Sequence, residues 1–381
     1  MPLVPLVAAT DVDEERRLGG VQELAGGLGV DLLDLRLDLS QKLPVASHRY
    51  RKYSDAIVGA MTPRARIVLV VAVLAAAAAG GTVAATVLIW GGDSHAARQP
   101  VGLRAGAPLY VLDELGLRDD PEARRLRQAE RLYSRGDRAA AGRLLAGDAS
   151  LEARVGAALA RWPRGTITDL DGLARAHPRS AFVRLHLGLA LLWARRTAEA
   201  RQAWRTAERA APDSPSAVRA ETLLHPEFAP GRPVFVPTFG PASTLHGSPR
   251  EELAELARGA RRPDWRAKIL YGVALQRLER PVSAERQYAA AAVLAPREPE
   301  ARVAAAVGLF DKERPALAFS RLGPLSKTFP RAQTVRFHLG LLLLWIGQVQ
   351  TAKKELRLAR AEGPKTLLGS QASALLARLG H

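Results

Sequence analysis

From about Asp120 onward apolar residues recur at helical spacing, and the chain reads as a succession of helix pairs. The first part of the chain is patterned differently. Residues 1–66 set Pro, Gly and acidic positions among short apolar stretches, which offers little to a core. Ile67–Trp90 is then a 24-residue run without a charged side chain. As a helix rising 1.5 Å per residue it reaches about 36 Å, enough for a hydrocarbon layer of about 30 Å with some tilt. Its Ile, Val and Leu residues supply about −3 to −7 kcal/mol toward insertion, and Trp90 stands where an interfacial anchor belongs. The run is expected to be a single transmembrane helix. A cleaved signal peptide, cut near Val83-Ala84-Ala85, is the alternative. Arg49, Arg51, Lys52, Arg64 and Arg66 lie on one side and only Arg98 and Arg104 close on the other. The positive-inside rule then places residues 1–66 in the cytoplasm and residues 91–381 outside. Met61 ahead of Arg64 and Arg66 also looks like the start of an exported chain, which leaves open whether residues 1–60 are translated.

The helical part repeats. Val183-Arg-Leu-His-Leu-Gly-Leu-Ala-Leu-Leu-Trp193 and Val335-Arg-Phe-His-Leu-Gly-Leu-Leu-Leu-Leu-Trp345 differ at two positions. Setting Gly188 at the eighth position gives a frame 181–214, and Tyr271-Gly272 gives 265–298, followed without a gap by 299–332 and 333–366. Small residues at the eighth and twentieth positions, such as Gly188 and Ala200 or Gly340 and Ala352, allow two helices to approach closely. Pro212, Pro296, Pro330 and Pro364 close the frames. Degenerate frames extend back through 147–180 to about residue 122.

A 34-residue stride with these packing positions resembles the tetratricopeptide-repeat family over about 60% of the chain. The fourth position departs from that family's pattern, carrying Arg184, Lys268, Arg302 and Arg336 where an aromatic is usual. The resemblance implies an all-α solenoid. It would consist of two three-repeat modules, 121–214 and 265–366, preceded by a linker at 91–120 and separated by a helix-and-loop segment at 215–264. A capping helix would follow at 367–381. It also implies a groove lined by the first helix of each pair and filled by a protein or peptide partner. Carried over position by position, the groove residues are Phe182, Leu185, Leu189, Trp193, Ile269, Gln276, Arg277, Phe310, Phe337, Leu341 and Trp345. Trp193 and Trp345 are either anchors for a partner or buried by the adjoining helix. The loop Phe228–Pro241 is too aromatic for an idle linker. It is expected to plug the seam between modules, with the alternative that it lies in the groove and fills the peptide site in cis.

Composition narrows the chemistry. There is no Cys, which removes disulfides, thiolate catalysis and Cys-based zinc sites. His186 and His338 sit at equivalent places on repeated helices, which marks them as structural rather than metal-binding; the other six histidines lack metal spacing. No phosphate-binding loop, dinucleotide fingerprint or nucleophile elbow is present. The expectation is a chain without catalytic residues, cofactor or metal. The net charge of +17 arises wholly in residues 93–381. It reflects either Arg used as a solvated helix-surface residue or a surface for anionic lipid or cell-wall phosphate; nucleic acid is not favoured. The combined reading is a single-pass membrane scaffold with an extracytoplasmic repeat domain that docks partners during envelope assembly. Its alternatives are an assembly chaperone similar to the membrane-tethered repeat proteins of cytochrome c maturation, and a polyanion-binding solenoid.

Overall fold

A computed structural model describes residues 106–241 and 247–379. The segment 1–66 and the apolar run Ile67–Trp90 lie outside the described residues. Among the described residues no helix is long and apolar enough to cross a membrane. These residues form helices and loops without a strand, and they divide into two compact units.

The first unit comprises described residues 106–212 and 216–226. Its helices are α1 (Pro121–Ser134), α2 (Arg138–Leu145), α3 (Leu151–Ala160), α4 (Thr166–Ala176), α5 (Ala181–Trp193), α6 (Thr197–Ala210) and α7 (Pro215–Leu224). The second unit comprises residues 213–215 and described residues from 227 to 379. It contains α8 (Pro249–Gly259), α9 (Trp265–Arg277), α10 (Pro281–Leu294), α11 (Pro299–Gly308), α12 (Ala316–Thr328), α13 (Gln333–Trp345), α14 (Val349–Glu362) and α15 (Leu367–Arg378). The segment 215–264 is therefore not one spacer: its first helix joins the first unit, while its aromatic loop and α8 join the second. Consecutive helices pack as hairpins, an all-helical repeat arrangement of the kind the sequence resemblance implies, with α1, α3, α5, α9, α11 and α13 as the first, or A, helices of each pair.

Local chemistry sets the helix starts. Asp120, Asp137, Ser150, Ser180 and Asp264 each accept from a backbone N–H in the first turn of the helix they precede. Ser248 and Glu251 cap α8 reciprocally. Within the hairpins, glycine faces a large side chain. A Cβ on Gly188 would stand 2.3 Å from Trp204, and one on Gly272 would stand 2.5 Å from Tyr288. Trp204, Tyr288, Ala200, Ala207, Ala352 and Ala359 are all fully buried, so the small positions hold the helices at the distance the core demands.

The turn between A and B helices bends at the same place in three repeats, through Arg195, Glu279 and Gly347, all at positive φ. That conformation costs an L-residue roughly 1–2 kcal/mol, against the backbone entropy a glycine loses. Replacing exposed Arg195 by Gly is expected to stabilise the protein by about 0.5–1 kcal/mol. A lowered denaturation midpoint would show that the turn is not held at this φ.

The basic fourth position has a physical role. Arg184 donates to the carbonyl of Ala174 at 3.2 Å, Lys268 to that of Ala260 at 2.5 Å, and Arg336 to that of Ser326 at 3.4 Å. Each carbonyl lies at the C-terminal end of the preceding helix, where acceptors lack intrahelical partners and a cation is favoured. Arg302 instead lies over the ring of Phe329, 5.4 Å from its centroid. Arg336 also pairs with Glu355 at 3.0 Å, with side chains only 19% and 12% exposed. Arg336→Met keeps the stem but strands Glu355, and is expected to cost roughly 1–3 kcal/mol. Urea unfolding of the variant checks it, and an unshifted midpoint would show the pair to be idle.

Candidate partner-binding site

The face made by the A helices carries an extended segment of the same chain in both units. In the first unit the segment is Pro108-Leu109-Tyr110-Val111-Leu112, which follows Gly106 at a positive φ. Tyr110 and Leu112 are buried, and they belong to one apolar cluster with Phe182, Leu185 and Leu189. The stretch read from sequence as the end of a linker is thus part of the core. Its backbone is held by side chains. Val111 N–H donates to His186 Nε2 at 3.2 Å, Leu112 N–H to Glu130 at 3.2 Å, and Tyr133 hydroxyl to the carbonyl of Pro108 at 2.7 Å. The Tyr110 hydroxyl donates to the Glu152 carbonyl at 2.9 Å.

In the second unit the segment is Pro233-Val234-Phe235-Val236-Pro237. Gln276 reads two of its peptide groups at once: it accepts from Phe235 N–H at 3.0 Å and donates to the Pro233 carbonyl at 2.9 Å. The same Gln276 oxygen accepts from the Tyr288 hydroxyl at 2.7 Å, which fixes the amide's orientation. Val236 N–H donates to His338 Nε2 at 2.9 Å, and Thr238 N–H to Glu300 at 2.9 Å. Upstream, Arg232 donates to the Phe310 carbonyl at 3.1 Å. The contacts pass from the C-terminal ends of α9 and α11 to the first turn of α11, so the segment runs against the A helices. Burial raises the Glu300 carboxyl above its ordinary pKa, with the Thr238 hydrogen bonds opposing. The hydrogen bonds put the central residues of Phe228–Pro241 on the A-helix face of their own unit.

The two segments share a pattern, Pro, aliphatic, aromatic, Val, and they meet the same histidine of the repeated helix. Each ring uses both nitrogens in the same way, with the Thr334 hydroxyl a further 3.3 Å neighbour of His338 Nδ1. Nδ1 of His186 is 2.8 Å from the Phe182 carbonyl, and Nδ1 of His338 is 2.8 Å from the Thr334 carbonyl. A carbonyl only accepts and a peptide N–H only donates. The hydrogen is therefore on Nδ1, and the Nε2 lone pair receives the segment: both rings must be neutral. Burial drives the pKa of each down to about 4. The aromatic residue packs beside the histidine. Phe235 stacks on His338 at 4.6 Å and meets Tyr288 edge-on at 5.9 Å, while Tyr110 lies 5.9 Å from both Tyr133 and His186.

Against this geometry, the residues expected to line an open groove are mostly core. Phe182, Leu185, Leu189, Ile269, Phe310, Phe337, Leu341 and Trp345 are buried; Trp193, Gln276 and Arg277 are half-buried. Trp345 is 2% exposed and packs on Phe310, so it is covered rather than presented as an anchor. Gln276 contacts the segment through its side chain and Phe310 through its carbonyl. The expected set omits His186, His338, Tyr133 and Glu300, which grip the segment. The signal that could have found them was the shared Pro-Leu-Tyr-Val and Pro-Val-Phe-Val. Among the described residues no cluster of His, Cys, Asp or Glu is placed to hold a metal ion.

No protein-family model matches the chain, and no curated protein matches it. Among solved structures it is similar to the crystal structure of the APC/C hetero-tetramer Cut9-Hcn1. The identity is 15%, the match covers 72% of this chain and 58% of that one, and the TM-score is 0.23. The chain thus spans less than two thirds of that protein's length.

Proposed function

We propose that this chain is a membrane-tethered tetratricopeptide-type scaffold that docks protein or peptide partners, acting by binding and not by catalysis. The observation that supports docking most directly is the readout of extended backbone by side chains: Gln276, His338 and Glu300 take three N–H groups and a carbonyl from one short stretch. A face that satisfies main-chain donors and acceptors in that order is a receptor for extended polypeptide. Tethering is supported by Ile67–Trp90, a run without charge and long enough to cross a bilayer. The asymmetry of flanking Lys and Arg supports a cytoplasmic N-terminus and an extracytoplasmic repeat domain, which suits a role in envelope assembly.

Fractionation tests the tether: the full chain should stay in the membrane pellet through alkaline extraction, and deletion of residues 67–90 should release it. Recovery of the intact chain in the soluble fraction would overturn the reading. Crosslinking in membranes before solubilisation tests docking, with partners expected on the repeat domain. The basic excess of residues 93–381 favours a second reading, in which the helix surface binds anionic lipid or cell-wall phosphate. Salt separates the two. Polyanion binding weakens steeply between low and moderate salt, whereas capture of an apolar, backbone-read segment persists.

A further inference from the structure

In the second unit the A helices pack directly on one another, α9 on α11 and α11 on α13, so their partners α10, α12 and α14 stand on the opposite side. Among the described residues the large aliphatics left exposed are Val293 (80%), Leu294, Leu317 and Leu358, and all of them lie on these three helices. Each helix also sets an exposed cation one or two turns from an exposed aliphatic on the same stripe: Arg286 with Val293, Arg321 with Leu317, and Lys354 with Leu358. Among the described residues Arg286, Arg321, Lys354 and Arg357 form no ion pair. The carboxylates of these helices do not offset them. Glu355 is engaged by Arg336 and only 12% exposed, Glu362 stands 3.8 Å from Arg331, and Glu285 is half-buried. The exposed Glu298 and Glu313 fall in loops at helix ends, off the stripes. The first unit is built differently. There α4 and α6 keep carboxylates at the surface that pair with arginine: Asp169 with Arg161 at 2.7 Å, Asp171 with Arg175 at 2.9 Å, and Glu199 with Arg196 at 2.6 Å.

Unpaired cations interleaved with exposed aliphatics fit a surface that offers negative charge and apolar depth together. Resting on the second reading above and narrowing it, we infer that the solvent face of α10, α12 and α14 lies against an anionic lipid surface. Headgroup phosphates meet Arg286, Arg321, Lys354 and Arg357, while Val293, Leu317 and Leu358 enter the acyl boundary beneath them. A hydrophilic phosphate polymer would satisfy the same cations but leave the aliphatics in water. The charge supplies attraction that salt screens, and the aliphatics supply a part that it does not. The first unit, with its paired carboxylates and without an exposed large aliphatic among the described residues, stays in solvent.

The chain has no Cys, so Val293→Cys places a single environment-sensitive fluorophore on this face, and Gln202→Cys on the exposed side of α6 serves as the control. The full-length protein is reconstituted into nanodiscs of phosphatidylcholine alone or of an equimolar mixture with phosphatidylglycerol. On the anionic discs, quenching of the label at 293 by a water-soluble quencher should fall about fivefold relative to the neutral discs, with the label at 202 unchanged. Adding Arg321→Gln, Lys354→Gln and Arg357→Gln, all at exposed positions, should restore the quenching. Equal quenching at 293 on the two kinds of disc overturns the proposal, as does protection that survives the triple substitution. The comparison of discs needs no charge variant, so it decides alone if the triple variant does not fold. Protection by soluble polyphosphate on neutral discs, without protection on anionic ones, overturns the lipid assignment and leaves the broader polyanion reading standing. Protection that rises with protein concentration in detergent, before lipid is added, overturns it in favour of a second copy covering the face.

Discussion

Acidification from about pH 6.5 to about 4 is expected to remove on the order of 3 kcal/mol of stability at each of His186 and His338. The sign follows from the wiring. In the folded protein both rings are neutral and fully buried, with Nε2 occupied by a peptide N–H and a pKa near 4. In the unfolded chain they titrate near 6.5. Across that window the unfolded state binds more protons, so stability rises with pH and falls as acid is added. Burial is the main cause for both rings. At His186 the charge of Arg219 adds to the depression and that of Asp113 opposes it. Glu300 acts in the opposite sense, because its raised pKa makes protonation easier in the folded state. Asp148, lowered to about 2 by Ser150 and Arg125, loses its contribution only below this window. Urea unfolding at about pH 7 and about pH 4.5 measures the effect. A double variant, His186→Gln and His338→Gln, supplies an amide that accepts the N–H, donates to the carbonyl and does not titrate. Its stability should be nearly flat between the two conditions. An equally flat curve for the unsubstituted protein would mean that the histidines are not held neutral.

Gly188→Ala is expected to cost about 3 kcal/mol, at the top of the usual range for overpacking. The added methyl would meet the Trp204 indole at 2.3 Å, and that indole is fully buried with its Nε1 donating to the Leu185 carbonyl at 3.3 Å. The approach is closer than real Cβ atoms show, so ring or helix must shift. Gly340→Ala meets the fully buried Leu356 at 2.8 Å and the Ala352 carbonyl oxygen at 3.3 Å, a less severe approach than at Gly188, and should cost less. Gly172 in α4 has nothing within 4 Å of the corresponding position, so Gly172→Ala should stabilise by roughly 0.5–1 kcal/mol through helix propensity. Denaturant midpoints for the three variants test the order. Equal losses at 188 and 172 would show that the close approach of α5 and α6 is not what requires the glycine.

Helix pairing was legible in the sequence because it depends on residues a fixed stride apart: Gly188 against Trp204, Gly272 against Tyr288, Gly340 against Leu356. What fills the A-helix face was less legible. Residues 107–112 and 232–238 carry no helical or strand periodicity, and their partners lie up to 102 positions away, as Val236 does from His338. Phe182, Leu341 and Trp345 read equally well as an open apolar surface or as core, since hydrophobicity does not say what covers it. The histidines were recognised as structural from their equivalence. That they hold a backbone and not a neighbouring helix required the coordinates. The apolar run Ile67–Trp90 remains a reading of the sequence, outside the described residues.

The grip in the second unit combines buried side chains, Phe235 and Val236, with bonds to peptide N–H and C=O groups, and the latter set a rule of their own. New proline is barred at 235, 236 and 238, where a donor is spent, yet is harmless at 233 and 237, where nature has already placed it. Burial adds a second rule, since positions 235 and 236 must stay apolar: the stretch tolerates drift only where neither a spent amide nor a covered side chain forbids it.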